Sequence, residues 1–196
     1  IDYKSTNSFS ELVNDYIDGK EKLKPFFAFT PNEQGIDQSI IKRSNFPINR
    51  IALVDALKNQ YSTISKKEEV AANIQSLLRE NTYTICTAHQ PNLLTGYLYF
   101  FYKIFHAIRM AEDLNIRYPE LHFVPVYYMG SEDNDLDELG QFWYEHKRYK
   151  WTAHGQTGAV GRMNTKSLKP LLEDLFRKFG PPGKFCDELI ALITES

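Results

Sequence analysis

Between Thr82 and Gly130 the sequence reads as strand, helix, strand, and this succession constrains the fold more than any other feature of the chain. "TYTICTA" is a β-branched and aromatic run, "YLYFFYKIFHAIRMAEDLN" carries helical periodicity, and "LHFVPVYYM" is a second apolar run. Neither run alternates cleanly, the pattern of parallel strands covered on both faces, and two such strands joined by a helix require a right-handed crossover. The fold class that follows is α/β, a Rossmann-like and mostly parallel sheet. In such a sheet ligands sit outside the carboxyl ends of the strands. Here those ends are the loop His89 to Gly96 and the loop opening "GSEDNDLDEL".

The 80 residues before this unit read as a helical segment that packs on the core, which itself runs from 81 to 196. Ser8 stands three residues before Glu11, a capping box leading into "ELVNDYI", and "NRIALVDALKNQYSTI" and "KKEEVAANIQSLLRE" follow as further helices. "FWYEHKRYKW" reads as another strand. "SLKPLLEDLFRKFG" and "KFCDELIALIT" read as helices separated by Gly180-Pro181-Pro182-Gly183. The last helix stops without a C-cap glycine, as a fragment of a longer chain would.

A formal charge of −2, from 23 basic and 25 acidic residues, supplies no global field to recruit nucleic acid or an anionic membrane. No run approaches the roughly 20 apolar residues of a membrane span. Cys86 and Cys186 lie far apart, Cys86 within an apolar strand where a buried thiol is expected, and a reducing cytoplasm suits both. No His/Cys cluster has zinc spacing, so no metal ligands are assigned. The basic "HKRYKW" reads as one solvent face of a strand rather than a nucleic-acid surface.

Chemistry therefore concentrates in the two loops. If a helix opens at Pro91 and runs unbroken, Asn92, Thr95, Tyr99 and Lys103 share one face beside an apolar face of Leu98, Phe101, Phe105 and Ile108. Its first amides would cradle a phosphate or carboxylate, and Gly96 would permit close approach. The glycine spacings of a dinucleotide fingerprint and of a Walker loop are both missing. The second loop carries Glu132, Asp133, Asp135, Asp137 and Glu138, able to bind an amine, to hold Mg²⁺ near a phosphate or to act as a base. Both loops also admit a plain structural reading, in which His89 and Gln90 finish a strand and the carboxylates complement a helix dipole.

"TAHQPNLLTGYLYFFYK" followed by "VPVYYMGSEDNDLDEL" resembles the N-terminal part of the bacillithiol biosynthesis cysteine-adding enzymes. The resemblance rests on Ala88, His89, Gln90, Thr95, Gly96, Tyr99, Lys103, Glu132, Asp133, Asp135 and Glu138. The chain departs from the family at Ala88, usually Gly, at Tyr97, usually Pro, and at Asn134, usually His, which weakens any histidine base from the acidic loop. The resemblance implies a longer protein that dimerises through C-terminal helices and adds L-cysteine to the amine of glucosaminyl malate; the carboxylate then requires activation, for which ATP, with or without Mg²⁺, is the candidate, and the cofactor stays open. The roles it suggests are a first loop of His89, Gln90, Asn92, Thr95, Gly96 and Tyr99 that holds phosphate or activated carboxyl, Lys103 offsetting negative charge, and Glu132 or Asp135 handling the sugar amine, beside Asp133 and Glu138. The alternatives are a nucleotide- or small-molecule-binding domain without ligase activity and an interaction module.

Overall fold

The computed structural model describes residues 2–64, 68–180 and 183–195. The chain divides into two compact units, one running to Tyr83 with Glu120–His122, the other comprising Thr84–Pro119 and the chain from Phe123 onward. Pro181 and Pro182 of the expected interhelical break, and Lys66 and Lys67 of the third expected helix, lie outside the described residues.

The first unit is helical. Helix α1 (Glu11–Ile17) is capped by Ser10, whose side chain accepts from the Val13 amide, so the cap falls two residues after the expected Ser8. Asn32 caps α2 (Glu33–Ser44) and Asn49 caps α3 (Arg50–Gln60) in the same manner. α3 packs against α4 (Glu68–Ser76), where Val54, Ile74 and Leu77 are buried. The Arg50 guanidinium donates to the carbonyls of Leu77, Glu80 and Thr82 at 2.9, 3.2 and 3.2 Å, and Thr82 Oγ1 donates to the Ser76 carbonyl at 2.8 Å. The bonds to Ser76 and Leu77 satisfy carbonyls at the end of α4, and those to Glu80 and Thr82 fix the turn that leads from it into the following strand.

Strands β1 (Thr82–His89) and β2 (His122–Met129) form a two-stranded parallel sheet, joined by α5 (Leu98–Arg117). The β-α-β expectation is met. Within the second unit, Asn115 locks the end of α5 to β2: its amide donates to the Phe123 carbonyl at 2.9 Å and its oxygen accepts from the Phe123 N–H at 2.8 Å. The buried side of α5 carries Ala107, Ala111 and Leu114, of which the two alanines leave room for close packing. Leu98, Phe105 and Ile108 of the expected apolar face are exposed instead. Burial along β1 alternates, and Cys86 is exposed rather than buried.

After β2 come the short helix α6 (Leu136–Leu139) and the antiparallel hairpin β3 (Gln141–Tyr144) and β4 (Lys147–Lys150), so the single strand expected there is folded on itself. Its two-residue turn places Glu145 and His146 at φ 45° and 64°, the left-handed pair that matches strand twist. Trp151, Ala153 and Leu168 form a buried cluster against which Leu93, Leu136, Val160 and Met163 pack, with Leu171 and Leu172 of α7 (Lys169–Phe176). Both candidate loops are anchored in this cluster, through Leu93 and Leu136. Helix α8 (Lys184–Glu195) closes the described chain. Among the described residues no helix is long and apolar enough to cross a membrane.

Candidate functional site

α5 does not begin at Pro91. A single 3₁₀ turn, Leu93–Thr95, intervenes, and the helix starts at Leu98 behind Tyr97. The cause is local: Leu94, Thr95 and Gly96 adopt φ of 50°, 71° and 63° in succession, which no right-handed helix tolerates. Asn92 and Thr95 therefore lie in a loop, not on a helix face, while Tyr99 and Lys103 stand one turn apart on α5. A Cβ built on Gly96 would lie 2.5 Å from Asn92 Cγ, so the close approach this glycine permits is that of the Asn92 side chain.

The loop closes around His89, which is 8% exposed at the carboxyl end of β1. Its Nε2 lies 2.9 Å from Tyr99 Oη, and its Nδ1 lies 3.1 Å from both Asn92 Nδ2 and the Gln90 carbonyl oxygen. The His89 carbonyl accepts from the Gly130 N–H at 3.0 Å and from Tyr127 Oη at 3.1 Å. The ring packs edge-on against Phe100, which packs edge-on against Tyr127. Every polar atom of His89 beyond its own amide is thus engaged by the fold.

Gln90 reaches across the two strand ends: its Nε2 donates to Asp133 Oδ2 at 3.1 Å. The other Asp133 oxygen accepts from the Asp135 N–H at 2.9 Å. Those bonds, the Asp135 amide first, then Gln90 and the Asn134 amide, hold the Asp133 carboxyl below its ordinary range. Asp135 Oδ1 caps α6 by accepting from the Glu138 N–H at 3.0 Å. Glu132 points elsewhere, accepting from Tyr128 Oη at 3.2 Å, and its charge raises the Tyr128 pKa. Tyr99 is raised too, first by burial and then by the Glu138 charge. Lys103 Nζ sits 5.9 Å from the Tyr99 ring centroid, and Tyr97 stacks on Tyr99 at 5.7 Å.

The structure therefore brings His89, Gln90, Asn92, Gly96, Tyr99, Lys103 and Asp133 into one neighbourhood, with Asp135 and Glu138 attached through Asp133 and the Tyr99 field. Thr95 is exposed in the left-handed turn, and Glu132 is turned toward Tyr128. Sequence reasoning missed Tyr127 and Gly130, which hold the His89 carbonyl, and the segment 159–162, which braces the acidic loop. There the Val160 N–H donates to the Asp133 carbonyl at 2.8 Å, and a Cβ on Gly161 would lie 2.9 Å from the Ser131 carbonyl oxygen. Tyr127 and Gly130 were readable as the end of the second strand; nothing in the pattern points to Gly161. A separate apolar groove of about 180 Å³, lined by Thr87, Ile104, Ala107, Ile108, Pro125, Val126 and Tyr127, runs beside α5 and receives none of the loop carboxylates. Among the described residues, no group of three or more His, Cys, Asp and Glu side chains could hold a metal ion.

A parallel β-α-β unit whose two carboxyl-end loops are joined by a polar bridge defines a Rossmann-like domain. The chain belongs to the family described as "Bacillithiol biosynthesis BshC, N-terminal Rossmann-like domain", whose model matches residues 1–196. Relatives named "Putative cysteine ligase BshC" include one from Flavobacterium johnsoniae, 41% identical over 175 residues that cover 88% of this chain and 33% of the relative. Another, from Cytophaga hutchinsonii, is 39% identical over 89% of this chain and 33% of its own length. A more distant one from Bacillus anthracis is 26% identical over 94% of this chain and 35% of its own length. The chain thus spans about a third of the length of the curated relatives it matches.

Proposed function

We propose that these residues form part of the site of a ligase in bacillithiol biosynthesis, which joins the carboxyl of L-cysteine to the amine of glucosaminyl malate as an amide. The observation that carries the reading is the Gln90–Asp133 hydrogen bond of 3.1 Å, which ties a loop suited to an anion to a loop suited to an amine. Two reacting groups of opposite character need that juxtaposition, because holding them together removes the entropy of a bimolecular encounter. The family and the names of its relatives support the same reading.

A free carboxylate does not acylate an amine, since its oxygen is a poor leaving group. ATP supplies that activation when bound. The side chains here have narrower tasks. Lys103, exposed on α5, offsets negative charge on a phosphate or on the carboxyl oxygen. Asp133, its carboxyl held ionised by Gln90 and the Asp135 amide, attracts the ammonium form of the sugar amine. The ammonium gives up one proton to solvent to expose its lone pair, and Asp135 or Glu132, both exposed, accepts the second, which the nitrogen must lose as the C–N bond forms and the C–O bond to the leaving group breaks. A Mg²⁺ carried by the nucleotide would meet no preformed cage among the described side chains, and no step is routed through it.

The test uses the full-length protein with L-cysteine, glucosaminyl malate and ATP, the thiol product being quantified by mass spectrometry. Gln90→Ala and Asp133→Asn are each expected to lower kcat/KM by about tenfold or more, the worth of a hydrogen bond to a charged group. Wild-type product formation by both variants would remove the reading.

A further inference from the structure

The turn Val160–Arg162 is fastened to the acidic loop. The Val160 N–H donates to the Asp133 carbonyl at 2.8 Å. Gly161 approaches so closely that a Cβ there would stand 2.9 Å from the Ser131 carbonyl oxygen and 3.0 Å from Ser131 Cβ, and backbone cannot give way as the end of a side chain can. Val160 and Met163 pack into the Trp151, Ala153 and Leu168 cluster that also holds Leu93 and Leu136. A clasp closes the segment behind them: Gln156 Nε2 donates to the Asn164 carbonyl at 3.1 Å, and the Asn164 N–H donates to Gln156 Oε1 at 2.6 Å. The backbone of Arg162 is thereby fixed beside the acidic loop.

Arg162 is exposed, and it forms no ion pair among the described residues. Of the carboxylates in the loop, Asp137 is taken by Lys150 at 2.7 Å, whereas Glu132, Asp133 and Asp135 have no ion-pair partner among the described residues. Unpaired charges of both signs, carried on one braced segment, complement a ligand that itself carries both signs. The sugar substrate of the ligase reading is such a ligand. Its ammonium sits on the sugar ring, and its malate carboxylates hang from the neighbouring ring carbon. With the ammonium at Asp133, those carboxylates fall within a side chain's length of it, and a guanidinium fork matches a carboxylate in a bidentate pair. Lys103, on the other side of the Gln90–Asp133 bridge in sequence, remains for the phosphate or the carboxyl being activated.

We infer that Arg162 binds the malate carboxylates and selects the acidic sugar over a neutral amino sugar. The inference rests on the ligase reading for the identity of its ligand and on the Gly161 turn for the place of the cation. It also gives that turn a purpose: the glycine that fits against Ser131 and the amide that bonds Asp133 hold an anion-binding side chain at the loop that takes the amine.

The test compares glucosaminyl malate with methyl glucosaminide, which keeps the amine and lacks the carboxylates, as acceptors for the full-length protein. In Arg162→Gln the KM for glucosaminyl malate is expected to rise about 30-fold with kcat within about threefold, the loss of a charge-assisted pair made equally in ground and transition states. The KM values for methyl glucosaminide and for L-cysteine should stay within about twofold. An unchanged KM for glucosaminyl malate, or an equal rise for both sugars, overturns the inference and leaves the ligase reading standing. Absence of product from the wild type removes the ligase reading, and calorimetric titration with the same two sugars then decides the inference alone. Binding of glucosaminyl malate, but not of methyl glucosaminide, that is about 30-fold weaker in Arg162→Gln upholds it. Equal binding of glucosaminyl malate by wild type and variant, an equal loss for both sugars, or no binding at all overturns it.

Discussion

Gly96→Ala is the sharpest perturbation of the first loop, because two separable costs meet at that residue. The backbone, at φ 63° and ψ −141°, sits in a region almost confined to glycine, and a side chain there costs about 1–3 kcal/mol. The new Cβ would also lie 2.5, 2.7 and 2.8 Å from Asn92 Cγ, Cβ and Oδ1, so Asn92 must move. Displacing it removes the 3.1 Å bond to His89 Nδ1 and the 3.3 Å bond to the Gln90 carbonyl, about 1 kcal/mol each. The sum is roughly 3–5 kcal/mol of destabilisation, of which the side chain carries about 2 and the backbone the rest. Chemical denaturation of the full-length protein measures it. Gly155→Ala provides a comparison, since Gly155 has φ 79° and nothing within 4 Å of its Cβ position, and reports the cost of a side chain at positive φ without a clash. In an Asn92→Gly background, where every clashing atom is gone, Gly96→Ala should fall to the backbone cost alone, about 1–3 kcal/mol. Additivity of the two substitutions to within about 0.3 kcal/mol would refute the reasoning, because groups in contact must couple.

Arg50→Met in the first unit leaves the carbonyls of Leu77, Glu80 and Thr82 without their shared donor and should cost about 2–3 kcal/mol in the same denaturation assay. Arg50→Lys should recover little of it, as one ammonium cannot span three carbonyls. Asp133 has a folded-state pKa below its ordinary value of 3.8, so its contribution to stability is present above that value and is lost as the pH falls through the lower, folded one. Gln90→Leu should raise the Asp133 titration midpoint toward 3.8, though not to it, because the backbone N–H donors of Asp135 and Asn134 remain; carboxyl-resolved NMR titration reads the change, and an unmoved midpoint would mean that Gln90 does not touch the carboxylate.

What could be read in the sequence, and what could not, divides along a physical line. The β-α-β unit was legible because strand and helix each impose a period on residues close in sequence, and the Rossmann-like assignment followed from it. The pairing of the two loops was legible for the same reason, since parallel strands joined by one crossover must end on the same edge. The helix onset was misread because "PNLLTG" offers a proline at a suitable first position, yet the competing signal, Asn92 folding back on His89 through a glycine that leaves it room, involves a contact that no period encodes. The outward-facing Leu98, Phe105 and Ile108 have a different cause: α5 buries Ala107 and Ala111 along with Leu114, and alanines give a weak hydropathy signal where large exposed residues give a strong one. Gly161 lies at the limit of what can be read, because its role depends on the Ser131 carbonyl 30 positions away. The polar cluster thus consists of residues the sequence could nominate, held by contacts it could not. The consequence is chemical as well as structural: the histidine that the sequence nominates for the first loop is buried by its supporting contacts, whereas Tyr99, which bonds its ring, is exposed.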